Sequence, residues 1–118
     1  MKILVVDDEE LDLFINKKLL SLEFDTTGFT SPKDALHWAQ QNDFDIAVID
    51  YYLENGIFAG TLLNDLIALK GPTFKAFVVT NYVDEKQTAD LKQSGFTGII
   101  HKPLTLEIFR KKLKGDGI

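Results

Sequence analysis

Five side chains stand where apolar runs stop. Asp7 and Asp8 follow ILVV (3–6), Asp50 closes IAVID (46–50), Thr80 closes FVVT (77–80), and Lys102 follows GII (98–100) with only His101 between. Apolar runs rich in β-branched residues read as strands buried on both faces. A buried strand does not ordinarily run out into a block of carboxylates that repel one another. Three carboxylates within about 4–5 Å would repel by roughly several kcal/mol at an effective dielectric near 20, so a cation must compensate. A hard, all-oxygen site with two or three carboxylates suits Mg²⁺, which keeps waters and accepts phosphate oxygens. Lys102 adds a second positive charge and Thr80 a hydroxyl. Metal, ammonium and hydroxyl are the groups that stabilise a phosphoryl group in transfer. The remaining carboxylate, Asp50, can then act as nucleophile and become an aspartyl phosphate.

These residues meet only if the chain brings the ends of its strands together. Strand-like runs occur at 3–6, 46–49, 76–79 and 98–100, with a weaker candidate in FDTTGF (24–29). Helix-like segments lie between them. ELDLFINKKLLSL sets Leu11, Phe14, Ile15 and Leu19 at helical spacing. SPKDALHWAQQ opens with Ser31 as N-cap and Pro32 at the first helical position. AGTLLNDLIALKG carries Leu62, Leu63, Leu66, Ile67 and Leu69 and stops at Gly71. VDEKQTADLKQSG is mostly polar and stops at Gly95, and TLEIFRKKLKG sets Leu106, Phe109 and Leu113 on one side. A β-α unit repeated five times implies a parallel sheet with helices on both faces and right-handed crossovers. In such a sheet ligands bind outside the carboxyl ends of the strands, where Asp7, Asp8, Asp50, Thr80 and Lys102 fall.

With its residues in this order the chain resembles a receiver domain of bacterial two-component response regulators, a CheY-like domain. LVVDDEE, AVIDYYL, VVT and GIIHKP carry the resemblance, which covers Lys2 to about Lys114. It implies a flavodoxin-like doubly wound (βα)5 fold, a five-stranded parallel sheet in the order 2-1-3-4-5, and one receiver domain over 1–118. The implied function is that of a phosphoacceptor signalling domain, which catalyses only its own phosphorylation and dephosphorylation. Asp50 would take the phosphoryl group. Asp8 would ligate Mg²⁺ directly, Asp7 mainly through water, Asp50 through its carboxylate and Tyr52 through its backbone carbonyl. Thr80 and Lys102 would hold phosphoryl oxygens, with the Lys102–Pro103 peptide cis. The implied partners are a sensor histidine kinase or phosphotransfer protein, and an output protein or C-terminal effector domain. A phosphorylation-dependent homodimer is also within the family's range.

The chain departs from the family pattern in three places. Glu54 and Phe58 stand where the family has Pro and Gly after the acceptor, and Gly56 and Gly60 suggest a loop about two residues longer that holds Ile57 and Phe58. Asn81 and Tyr82 follow Thr80 where small residues are usual. Ile99 replaces the strand-five aromatic. These changes bear on the output switch and on phosphoryl lifetime, and none removes a reacting group.

Composition narrows the alternatives. The chain has 118 residues, 45% hydrophobic, with no cysteine and a net charge of -5. One domain with a real core is expected, without disulfides or thiolate metal sites. The acidic balance argues against direct binding to nucleic acid or an anionic membrane; Arg110, Lys111, Lys112 and Lys114 read as one solvated helix face. No apolar run is long enough to span a bilayer. The first residues lack the charged-then-apolar pattern of a secretory signal, so a cytoplasmic location is expected. Trp38 reads as half-buried packing and His37 as surface, and His101 should point away from Lys102. A phosphorylation-independent interaction module would not need all five site residues. A phosphohydrolase would carry Asp-x-Asp on the first strand and a cap domain. A flavin binder would need a Ser/Thr/Gly-rich loop where this chain has acids.

Overall fold

The computed structural model describes residues 1–53, 56–81 and 83–115. Five strands and five helices alternate: β1 (Lys2–Val6), α1 (Glu10–Leu20), β2 (Asp25–Phe29), α2 (Pro32–Ala39), β3 (Ile46–Asp50), α3 (Ala59–Lys70), β4 (Lys75–Thr80), α4 (Glu85–Gln93), β5 (Gly98–His101) and α5 (Leu106–Leu113). All four strand pairings are parallel, in the order β2-β1-β3-β4-β5. This is the flavodoxin-like doubly wound order that the family resemblance implies, and the alternating pattern accounts for its parallel pairing.

Side-chain alternation along the strands splits the core into two layers. Leu4, Val6, Ala47, Ile49 and Val78 pack with Ala35, Leu62, Leu63, Leu66 and Leu91, so α2, α3 and α4 cover one face. Ile3, Val5, Ile46, Val48, Phe77, Val79 and Ile100 pack with Leu20 and Phe109, so α1 and α5 cover the other. Side chains cap the starts of α2, α5 and α4. Ser31 accepts from the Asp34 N–H, Thr105 accepts from the Ile108 N–H, and Asp84 and Gln87 form a reciprocal capping box at α4.

Three details differ from the sequence expectation. In α1 the helically spaced Leu11, Phe14 and Ile15 are 68%, 57% and 51% exposed. Of the four expected residues only Leu19 faces the core, together with Leu13 and the fully buried Leu20. Gly28 explains the choice: a Cβ there would come within 2.8 Å of Leu13 Cδ1, so the bare glycine on β2 is the seat for Leu13. With Leu13 seated there, the face carrying Leu11, Phe14 and Ile15 turns outward. In α3, Leu69 is likewise exposed. Gly60 lies in the first turn of α3 rather than in the preceding loop, and its bare Cα faces Ser94 at the end of α4.

Candidate functional site

The strand register lines up the site. Val6 is paired with Ile49, so Asp7 leaves the sheet beside Asp50; Asp50 is paired with Val79, and Thr80 with His101. Asp7 continues the alternation of Ile3 and Val5, and Asp50 that of Ile46 and Val48. Both carboxylates therefore lie on the α1/α5 side.

Asp7 is 2% exposed. Its N–H donates to the Phe29 carbonyl at 3.1 Å, and its Oδ1 accepts from the Glu9 N–H at 3.0 Å, a turn that leads into α1. Glu9 and Glu10 are exposed at the start of that helix, where acids favour the positive dipole end. Asp50 is also buried, and Asp8 is the most open of the three. One carboxylate oxygen from each of Asp7, Asp8 and Asp50 lies within 4.8 Å of the others. Oxygens on opposite sides of a Mg²⁺ bound at about 2.1 Å are roughly 4.2 Å apart, so a small closure or a bridging water would complete such a site. The donor set is all oxygen, as a hard cation requires.

Lys102 reaches this group from beyond β5. Its N–H donates to the Thr80 carbonyl at 2.8 Å, and its peptide bond to Pro103 is cis. Its ammonium Nζ lies 2.8 Å from Asp50 Oδ1 and 3.7 Å from Asp12 Oδ2. Thr80, buried at the end of β4, joins the others by register and through this backbone bond. His101 is exposed, on the opposite alternation from Lys102.

Burial and like charge set the electrostatics. Burial pushes Asp7 up to about 6, against the Glu9 N–H that favours its charged form, while the charge of Asp50 pushes it further. Burial also raises Asp50, and the Lys102 hydrogen bond and charge offset that only in part. At Lys102 burial disfavours the ammonium, but Asp50, Asp7 and Asp12 outweigh it and hold it above the ordinary lysine value. With Asp7, Asp8, Asp50 and Asp12 around the Lys102 ammonium, a divalent cation would offset the remaining negative charge.

Tyr52 sits in a short hairpin between β3 and α3. The Leu53 N–H donates to the Ile57 carbonyl at 2.8 Å and the Ala59 N–H to the Tyr51 carbonyl at 2.9 Å. Tyr52 and Phe58 are therefore the non-hydrogen-bonded pair of an antiparallel bridge, and neither hydrogen bond of the bridge uses the Tyr52 carbonyl. Gly56 takes φ 72° in the turn, a conformation that suits glycine. Tyr51, Tyr52 and Phe58 stack at centroid distances of 4.7, 5.4 and 5.6 Å. Glu54 and Tyr82, which the sequence marked as departures, lie outside the described residues. Asp12 is the site residue the sequence reading passed over; its one available signal is a spacing of one helical turn after Asp8.

The model of the response regulator receiver domain family matches residues 3–114. No curated relative matches the chain. Solved structures do. A CheY-like receiver domain protein from Methanospirillum hungatei is 23% identical, with a TM-score of 0.84 over 97% of this chain and 90% of that one. The chemotaxis protein CheY4 of Vibrio cholerae is 20% identical, with a TM-score of 0.84 over 97% and 96%. A Burkholderia pseudomallei response regulator, solved with a phosphorylated aspartic acid, a calcium ion and citrate, is 23% identical, with a TM-score of 0.80 over 95% of this chain and 65% of that one. At these identities the likeness is one of fold.

Proposed function

Because the chain belongs to the response regulator receiver domain family, we propose that it takes a phosphoryl group from a histidine kinase or phosphotransfer protein onto Asp50 and thereby switches its binding to an output partner. The observation that carries this reading is the Lys102 ammonium 2.8 Å from Asp50, beside carboxylates of Asp7 and Asp8 whose oxygens lie within 4.8 Å of it and of each other. A nucleophile, its charge-neutralising lysine and a cation site share one sheet edge.

An oxygen of Asp50 attacks the phosphorus of a phosphohistidine. The P–O bond forms as the P–N bond breaks, and the imidazole leaves with a proton from solvent. Lys102 then pairs with an oxygen of the transferred group, and the Thr80 hydroxyl donates to another. Asp7, Asp8, Asp50 and the Tyr52 carbonyl would hold Mg²⁺, which, when bound, neutralises phosphoryl oxygens that the acids would otherwise repel. The phosphorylated aspartic acid and the calcium ion belong to the Burkholderia protein, and they lend this assignment support by analogy.

A protein donor must cover the rim of the site to bring its phosphorus to Asp50. The exposed Leu11, Phe14 and Ile15 start at that rim, on the helix that also carries Asp12, and would give such a donor an apolar footing. A cytoplasmic setting follows from this chemistry, because the kinase spends cellular ATP. Among the described residues no helix is long and apolar enough to cross a membrane.

The test is intact-mass spectrometry after incubation with acetyl phosphate. One phosphoryl adduct in Mg²⁺, absent in EDTA and absent in Asp50→Asn, is expected. An adduct that persists in Asp50→Asn would contradict the assignment.

A further inference from the structure

Among the described residues two carboxylates lie within 4.0 Å of the Lys102 ammonium, and the function proposed above uses only one. Its ammonium is hydrogen-bonded to Asp50 at 2.8 Å and lies 3.7 Å from the carboxylate of Asp12, in the first turn of α1. The side chain of Asp50 is 8% exposed and that of Asp12 45%. One carboxylate is thus inside the pocket and the other on its rim, with the ammonium between them.

This arrangement addresses a conflict built into the site. A divalent cation at Asp7, Asp8 and Asp50 must take an Asp50 oxygen, and Lys102 already occupies one. Two cations on one carboxylate repel, even on separate oxygens, so a lysine able to move aside favours the metal. Sending the ammonium fully into water would pull it from a pocket where it must later meet the phosphoryl group. Asp12 offers a nearer alternative. A movement of about 1 Å along the flexible lysine stem would bring Nζ from its present 3.7 Å into hydrogen-bond range of Asp12. The carboxylate of Asp12 also acts on the whole group, raising Asp7, Asp50 and Lys102 alike.

Resting on the metal site proposed above, we infer that Asp12 is a positioning residue, a second seat that holds the Lys102 ammonium at the rim while a divalent cation occupies Asp50. The lysine then shuttles between the two carboxylates and stays close enough to engage the phosphoryl group once it arrives. Asp12 touches no reacting atom in this scheme and acts only through Lys102.

A double-mutant cycle on Mg²⁺ affinity tests this, using the wild type, Asp12→Asn, Lys102→Met and the double variant, with Mg²⁺ as the titrant in calorimetry. An ion pair near 4 Å in solvent-like surroundings is worth about 1 kcal/mol, so Asp12→Asn should weaken Mg²⁺ about three- to fivefold when Lys102 is present. In the Lys102→Met background the same change should weaken it less than about twofold. Asp12→Glu should restore most of the loss. The Lys102 ammonium resonance in ¹⁵N NMR should stay protected from exchange at saturating Mg²⁺ in the wild type and lose that protection in Asp12→Asn. Equal weakening in both lysine backgrounds, or an ammonium signal indifferent to Asp12→Asn, would overturn the proposal, because Asp12 would then act as a bare negative charge. Asp8→Ala separates the metal site from the role of Asp12. If it leaves Mg²⁺ binding unchanged, the metal site itself is misassigned and this inference falls with it. If it abolishes binding while the cycle shows no coupling, only the role of Asp12 is overturned.

Discussion

Neutralising Asp7 should stabilise the metal-free protein. Asp7 is 2% exposed, and burial with the nearby charge of Asp50 moves it from 3.8 to about 6. A folded-state value above the unfolded one means that the fold binds the proton more tightly. The resulting stabilisation is fully present below the unfolded value and is lost as pH rises through about 6. At pH 7.5, therefore, the ionised Asp7 opposes folding by as much as about 3 kcal/mol, the free-energy equivalent of the gap between the two values. Asp7→Asn removes that charge and keeps an oxygen to accept the Glu9 N–H. Urea unfolding in EDTA at pH 7.5 should show the variant more stable than the wild type by about 1–3 kcal/mol. At pH 5 the wild type recovers about 1.4 kcal/mol by taking up the proton, and the advantage of the variant should shrink by that amount. Groups that titrate alike in both proteins cancel in the difference. Saturating Mg²⁺ should reverse the order, because only the wild type keeps both members of the acidic pair. A variant less stable than the wild type in EDTA at pH 7.5, or an advantage that widens at pH 5, would refute this electrostatic account.

Three further outcomes follow from the site and its hairpin. Tyr52→Asn removes a ring stacked 5.4 Å from Phe58, two residues after Asp50; phosphoryl loss from Asp50 after donor removal should speed up several-fold, and an unchanged rate would mean that the ring shields nothing. Phe58→Ala should loosen the hairpin that orients the Tyr52 carbonyl, weakening Mg²⁺ about two- to fivefold and removing the Mg²⁺-induced ¹³C shift at that carbonyl, whereas Phe58→Tyr should keep both. With beryllofluoride as phosphoryl mimic, NMR shifts should be large at Tyr51 and at Gln87, whose amide lies 3.5 Å from the Tyr51 hydroxyl, and small at Ile99, which has no ring to swing; dominance of Ile99 over a silent hairpin would show the opposite route of coupling.

Much of the fold was legible because local and global signals agree. Two-sided apolar strands, an N-cap at Ser31 and a stop at Gly71 each mark an element independently, and the alternation then admits few topologies. The place where the candidate residues gather was legible for the same reason, since parallel strands in one order must bring Asp7, Asp50, Thr80 and Lys102 to one edge. What escaped was decided by three-dimensional fit. Helix α1 has apolar residues on two faces, and spacing alone could not choose between them; Gly28 chose by making room for Leu13. Gly60 looked like loop chemistry, yet it lies in the first turn of α3, where an added Cβ would only reach ordinary contact with Ser94. Asp12 was hidden because an acid in the first turn of a helix is ordinarily a solvated partner of the dipole, and only the reach of Lys102 gives it another role.

Asp50, served by a cation among its neighbouring acids, is the residue proposed to accept phosphate. Borohydride reduction of an aspartyl phosphate leaves homoserine, which marks the acceptor. The protein should be incubated with acetyl phosphate in Mg²⁺ or in EDTA, reduced, digested and mapped by mass spectrometry. Homoserine at position 50 in the Mg²⁺ sample, and at no position in the EDTA sample, is the predicted result. Homoserine at position 7 or 8, or conversion at position 50 undiminished by EDTA, would contradict it.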